Sequence, residues 1–357
     1  MNKLTKVGCS ALCGSLAAIS SANAGELTVT GGASLTYVSI GTETTGNPYG
    51  MASAVSFKGT GELDNGWTYG LYIDHNDQDA YSASRINIGM GGLGTIEFDQ
   101  GNSGNGIAAY DNVMPTAWEE AHGAGLSGGV KTVLGSGASD NIQYSLPKFL
   151  GTEIALTYAR EYGSSDTADK TTTATDSEYG TSYDITMKMN PSLGTEILSG
   201  LNLYAGASTV ETRDNTNIHS TDEDNYEGVG AITYALGPVE LGWMISGSYD
   251  GDEGYATSGA AANADYHSYK NHAFGIAFNV NDDFSVSYGE YTSRKAGYNN
   301  SNVQSEENTR VVEVSSWQAA YTVGGASLRV ADVKADNADF SAGNNISATI
   351  VSLGLAF

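Results

Sequence analysis

Three carboxylates fall within one stretch that is otherwise apolar and small: Asp111, Glu119 and Glu120, among Ile107, Tyr110, Val113, Met114 and Trp118. That mixture predicts a segment that packs against something, with acids that attract cations and shape a local field. Two further acid runs, Asp222-Glu223-Asp224 and Asp250-Gly251-Asp252-Glu253, offer oxygen ligands of the kind Ca2+ takes. They lack the EF-hand spacing, so they read as solvated loops with at most weakly bound Ca2+. The histidines at 75, 122, 219, 267 and 272 are scattered. His267 and His272 are five residues apart, which on a strand puts them on opposite faces and makes no metal pair. Enzymatic hydrolysis needs a nucleophile, a His and an orienting group together, and no local pattern supplies them. There is no Gly-x-Ser-x-Gly elbow and no phosphate loop; Gly89, Gly91, Gly92 and Gly94 belong to a turn. No enzyme and no cofactor are expected.

These side chains must be positioned by elements made after export. Lys3 and Lys6 precede an apolar stretch from Val7 to about Ile19, and Ala22 and Ala24 occupy the small-residue positions of a signal-peptidase site. We expect residues 1–24 to be a cleaved signal peptide. The apolar stretch is too short, and too interrupted, to be a membrane anchor. A lipoprotein reading fails because bulky Leu12 precedes Cys13 and too little apolar chain precedes Cys9. Residues 25–357 would then hold no cysteine, hence no disulfide framework or Cys metal site. Loss of Lys3 and Lys6 leaves 14 of 16 basic residues against 41 acidic ones, a formal charge of −27. That balance argues against a nucleic-acid partner, since phosphate backbones require Lys and Arg.

Periodicity sets the class. Leu27, Val29, Gly31, Ala33, Leu35 and Tyr37 alternate with Glu26, Thr28, Thr30, Gly32, Ser34 and Thr36. This period of two puts one set on each face of a strand. The pattern predicts about sixteen strands, near 26–38, 50–63, 66–75, 82–90, 94–101, 139–146, 152–162, 177–190, 201–211, 225–236, 238–249, 268–280, 283–292, 309–322, 326–334 and 345–357. Tight turns rich in Gly, Asn and Asp (64–66, 91–94, 281–283, 323–325) alternate with long polar connections (39–49, 102–138, 163–176, 212–224, 250–267, 293–308). Short turns on one side and long loops on the other are the pattern of a transmembrane β-barrel. Aromatics near strand ends, such as Tyr37, Trp67, Tyr249 and Phe278, suit interfacial girdles. The other face reads as Ser, Thr, Gly, Asn, Glu and Arg, predicting a polar lumen without a second apolar set. No apolar run after the signal is long enough for a membrane helix. The chain ends on Phe357 after Val351, Leu353 and Leu355; a terminal aromatic on an amphipathic strand resembles the signal read by the outer-membrane assembly machinery.

With these features the chain resembles the general porins of Gram-negative outer membranes over residues 25–357. The sharpest local match is Ser139–Gly151, where a strand reading Asn141, Ile142, Gln143, Tyr144 meets Pro147 and Phe149; Asp140 stands where the family often has a basic residue. The resemblance implies a sixteen-stranded barrel, a homotrimer, and a third long loop, here 102–138, folded into the lumen as a constriction. Such long loops are usually functional or disordered. It further implies that Asp111, Glu119 and Glu120 face a basic wall, for which Lys58, Arg85 and Arg329 are the candidates. Opposed charges would sort solutes by charge and dipole, and the scarcity of basic residues points to cation preference. A substrate-specific channel is the alternative, with Tyr72 and Tyr204 facing inward, followed by a non-conducting surface barrel or adhesin.

Overall fold

The computed structural model of the protein describes residues 25–41, 47–77, 82–100, 104–163, 179–191, 196–212, 224–249, 266–297 and 309–357. Within them the alternating segments become sixteen strands: β1 (Glu26–Ile40), β2 (Tyr49–Glu62), β3 (Thr68–Asn76), β4 (Ala83–Gly89), β5 (Thr95–Gln100), β6 (Asp140–Ser145), β7 (Thr152–Ala159), β8 (Tyr179–Met189), β9 (Leu201–Thr212), β10 (Asn225–Leu236), β11 (Val239–Tyr249), β12 (Tyr266–Asn279), β13 (Phe284–Gly297), β14 (Arg310–Val323), β15 (Ala326–Asp336) and β16 (Ile346–Ala356). Each pairs antiparallel with its sequence neighbours, and β1 pairs with β16, so the sheet closes on itself. Closure leaves no unpaired strand edge, the condition for a sheet to stand in lipid. The C-terminal residue is tied into the seam: the Phe357 N–H donates to the Gly31 carbonyl at 2.9 Å.

The barrel is inverted relative to a soluble protein. Along β14, Val314, Ser316 and Gln318 are buried on the lumen side while Trp317 is 66% exposed on the outside. Outward Leu35, Leu353, Leu328 and Tyr321 lie beside one another in register across four strands. Tyr288 and Trp317 stack with ring centroids 4.5 Å apart on this outer face. Strand β13 runs five residues past its expected end at 292, because the lumen-facing alternation continues through Ser293 and Lys295 despite the adjacent Arg294.

The lumen departs from the expectation of a wholly polar lining. The connection between β5 and β6 folds inward and carries an apolar layer with it. Ala124, Leu126, Val130 and Trp118 of that loop pack on Val312, Val314, Ala331, Val333 and Ile350 of the wall, joined by Phe340 from the β15–β16 connection. A second cluster joins loop residues Ile107, Met114 and Val133 to wall residues Val229, Met244 and Tyr291. At these two clusters the wall therefore has two apolar faces, each buried against a different partner, lipid outside and loop inside.

Candidate functional site

A loop inside a barrel must find partners for its backbone N–H groups. Here the wall supplies them from inward side chains. Asp184 on β8 binds both ends of the loop: its Oδ2 accepts from the Ile107 N–H at 2.9 Å, and its Oδ1 accepts from the Ser136 N–H at 3.0 Å and the Ser136 hydroxyl at 2.8 Å. Glu227 on β10 accepts from the N–H groups of Leu134 and Gly135 at 2.9 and 2.7 Å. Asn141 and Gln143 on β6 accept from Asn105 and Gly106. None of these anchors was among the site residues expected from sequence, where Asn141 and Gln143 entered only through the local family match. The signal available was the placement of Asp184 and Glu227 on the inward positions of strands, where a long covering loop leaves orphan donors.

Between the anchors the loop lies against backbone. Gly242 and Gly275 are cross-strand neighbours on β11 and β12. A methyl group on Gly242 would meet Pro115 Cδ at 2.4 Å, and one on Gly275 would meet the Pro115 carbonyl oxygen at 2.8 Å. Only glycine allows that approach. The next residues form the tip. The Ala117 N–H donates to Ser287 Oγ at 2.8 Å, and the N–H groups of Trp118 and Glu119 donate to Gln318 Oε1 at 3.2 and 3.0 Å.

The tip carries the first predicted contact. Glu119 is exposed. Partial burial raises its carboxyl, and the nearby Arg329 guanidinium pulls it part of the way back. Arg329 also lies over the Trp118 ring, 5.9 Å from its centroid, and donates through Nε to Ser327 Oγ at 3.2 Å. Arg329 borders a polar recess of about 360 Å3 with Glu119, Asp282 and Asp283. It also borders a wider space of about 590 Å3 walled by small residues, including Ser34, Ala52 and Gly354.

Glu120 and Asp111 are placed differently. Glu120 turns under the loop, 8% exposed, and accepts from the Met114 N–H at 2.9 Å. Burial pushes its carboxyl up to about 8, with Asp111 and Glu119 adding to the rise. Burial likewise raises Asp111 to about 6. His122 packs on Tyr291 with ring centroids 4.6 Å apart, and burial pushes it down to about 4, so it is neutral at pH 7.

Lys58 and Arg85 sit on the part of the wall that the loop leaves bare. They flank Tyr72 in direct register across β2, β3 and β4. Lys58 Nζ is 5.2 Å and Arg85 Cζ 4.7 Å from the Tyr72 ring centroid, the range of cation–π attraction. None of the six candidate side chains has an ion-pair partner among the described residues; Lys148 and Glu153 form one at 2.7 Å at an exposed turn. The structure thus brings Glu119 and Arg329 together, and groups Lys58 with Arg85 around an aromatic ring. Inward Tyr204 stacks edge-on with Tyr110 of the loop at 5.3 Å. Among the described residues no group of three or more His, Cys, Asp or Glu is arranged to hold a metal. Of the two acidic runs considered for Ca2+, all but Asp224 lie outside the described residues.

Comparison with known proteins places this geometry. The sequence profile of the Gram-negative porin family matches residues 8–357. No curated protein is similar enough in sequence to count as a relative. Among solved structures, OmpF of Salmonella typhi in complex with daunomycin superposes with a TM-score of 0.65 at 11% identity, covering 94% of this chain and 98% of that one. The anion-selective porin from Comamonas acidovorans gives 0.62 at 14% identity, over 93% and 100% of the two chains. The trimer form of OmpT, an outer-membrane protein of Vibrio cholerae, gives 0.59 at 8% identity, over 94% and 100%. At these identities the likeness is one of fold. The profile match makes this barrel an outer-membrane transport channel and not an enzyme: over nearly its whole length, the chain belongs to the Gram-negative porin family.

Proposed function

We propose that the protein is a diffusion porin that passes small hydrophilic solutes and prefers cations, narrowed by the loop of residues 104–139. The observation that carries this reading is the tip: Glu119 presents an exposed carboxylate toward open lumen, with Arg329 as its single nearby cation among the described residues. Asp282 and Asp283 add acidity at the adjoining mouth. Lys58 and Arg85 supply the opposing positive wall, and their contacts with Tyr72 hold them on it. Asp111 and Glu120 belong to the constriction loop, where burial raises both carboxyls, that of Glu120 to about 8, which cuts its charge at neutral pH. A cleaved signal peptide, residues 1–24, would deliver the chain to the outer membrane. Weak Ca2+ binding would belong to the acidic loops and not to the pore.

Strand length supports a homotrimer. Strands β4, β5 and β6 have 7, 6 and 6 residues, whereas β12, β13 and β14 have 14 each. At ~3.4 Å per residue and a tilt of about 40°, six residues climb only roughly 15 Å, against an apolar band of about 25 Å. Outward Ile86, Ile96, Phe98 and Ile142 make this low wall apolar, and a neighbouring subunit would cover it. The trimer form of the Vibrio cholerae protein is a precedent within the fold.

The test is single-channel recording of residues 25–357 in a planar bilayer, with the reversal potential read in a salt gradient. Large steps in threes with a cation-favouring reversal are expected. An anion-favouring reversal overturns the preference, and a folded barrel without conductance overturns the open pore in favour of a plugged or adhesive barrel.

A further inference from the structure

We infer that Gln318 is a selectivity-setting positioning residue, the clamp that fixes the constriction tip in front of Arg329. This rests on the porin reading above and extends it to a residue that touches no solute. Gln318 faces the lumen from β14, is 6% exposed, and is the direct cross-strand partner of Ser287 on β13. Its amide oxygen accepts from the N–H groups of both Trp118 and Glu119, and its Nε2 donates to the Glu119 carbonyl at 2.7 Å. A further bond from Nε2 to Ser316 Oγ at 3.1 Å sets the plane of the amide. With the Ser287 bond to Ala117, consecutive residues 117, 118 and 119 are all tied to two adjoining wall side chains.

The chemistry requires an amide. The tip presents two donors and one acceptor to the same point, and only a side chain that accepts and donates from one plane meets all three. A carboxylate keeps the acceptor, loses the donor, and adds a like charge beside Glu119. An aliphatic side chain leaves two N–H groups and a carbonyl without partners. Because Trp118 and Glu119 both meet Arg329, a tip that shifts by an ångström alters the field where solutes pass.

The experiment compares wild type, Gln318→Ala, Gln318→Glu, Glu119→Gln and the Gln318→Ala/Glu119→Gln double variant, each as the folded barrel in a planar bilayer. Folding is confirmed first by the mobility shift of unheated barrel on denaturing gels. We expect Gln318→Ala to change the cation-to-anion permeability ratio by about twofold or more and to raise open-channel noise, because the local field acts steeply on ion concentration. Gln318→Glu should restore the quiet channel only in part and move the ratio toward cations. The effect of Gln318→Ala on the ratio should vanish once Glu119 is neutralised, the non-additivity expected of coupled residues. Unchanged ratio and noise in a folded Gln318→Ala barrel overturn the inference, and so does a ratio change of the same size in both backgrounds. Absence of conductance in wild type refutes the porin reading itself, a distinct outcome.

Discussion

Two arcs of one barrel wall, built on the same backbone, present opposite surfaces to the lumen. On the bare arc, one cross-strand row reads Thr28, Lys58, Tyr72 and Arg85. On the covered arc, a comparable row reads Thr233, Gly242, Gly275, Gly289 and Ser316. The first row carries long cationic side chains and a ring where nothing docks. The second has almost no side chains where Met114, Pro115 and Ala121 press against it. Inward volume in these rows is therefore set by what must lie on the wall, and the carboxylates of the covered arc, Asp184 and Glu227, stand where loop N–H groups meet them. Perturbing the covered arc should therefore free the loop, and perturbing the bare arc should change only selectivity.

Cys9 and Cys13 both precede residue 25, so a cysteine placed at Ala124 in residues 25–357 would be unique. Ala124 is 1% exposed on the wall-facing side of the loop, and its labelling rate by a thiol reagent reports undocking. The largest effect is expected from Asp184→Ala, which orphans donors at both loop ends at about 1–3 kcal/mol each; labelling should rise roughly tenfold or more. Next comes Gly275→Val, where overpacking costs about 1–3 kcal/mol; labelling should rise by several-fold, with the barrel still resisting denaturing detergent. Normal labelling in both variants would break the comparison.

A pH series sharpens it further. Glu120 has a folded value of about 8 against an ordinary 4.5, so its contribution to docking is complete below 4.5 and is lost as pH rises through 8. Asp111, raised to about 6 from 3.8, acts in the same direction over a lower window, and Glu119 is also raised. His122 has the opposite sign: lowered to about 4 from 6.5, it costs docking as pH falls through that range. Below 6 it offsets only one of the raised carboxyls, from 6 to 6.5 it offsets Glu120, and between 6.5 and 8 none of these groups offsets Glu120. Labelling corrected for reagent ionisation should climb through that interval in the parent barrel and stay flat there in Glu120→Gln. The smallest structural effect belongs to the bare arc. Lys58→Ala and Arg85→Ala should leave labelling unchanged while moving the permeability ratio toward cations, each by about twofold. Faster labelling in either would show that the two arcs are not independent.

How far the sequence foretold this molecule follows from the range of its signals. Strand positions were legible because alternation and turn residues are local; β10, expected over 225–236, spans Asn225–Leu236. The apolar lumen surface was not. Val312, Val314 and Val333 alternate with outward residues like any strand, and periodicity assigns a face without saying what covers it. The constriction loop was legible as a long packed segment with acids. That Glu119 reaches open space while Glu120 turns under was not, because Gln318 and the glycines that decide it are brought there by separate strands, and Met114 meets Glu120 only in the folded loop. Asp184 and Gln318 read as ordinary inward polar residues until the loop's orphan N–H groups are counted.

The hold of Asp184 on both Ile107 and Ser136 has a meaning for how such channels diversify. With entry and exit fastened at a single carboxylate, the residues between them form a closed ring whose length is nearly free to vary: each doubling of a flexible loop costs only about 0.6 kcal/mol in closure entropy. The segment behaves as a cartridge seated in a fixed socket. Insertions or exchanges between the fasteners would redraw the bore without disturbing the sixteen-stranded casing, so that one scaffold could acquire many solute preferences by rewriting about thirty residues.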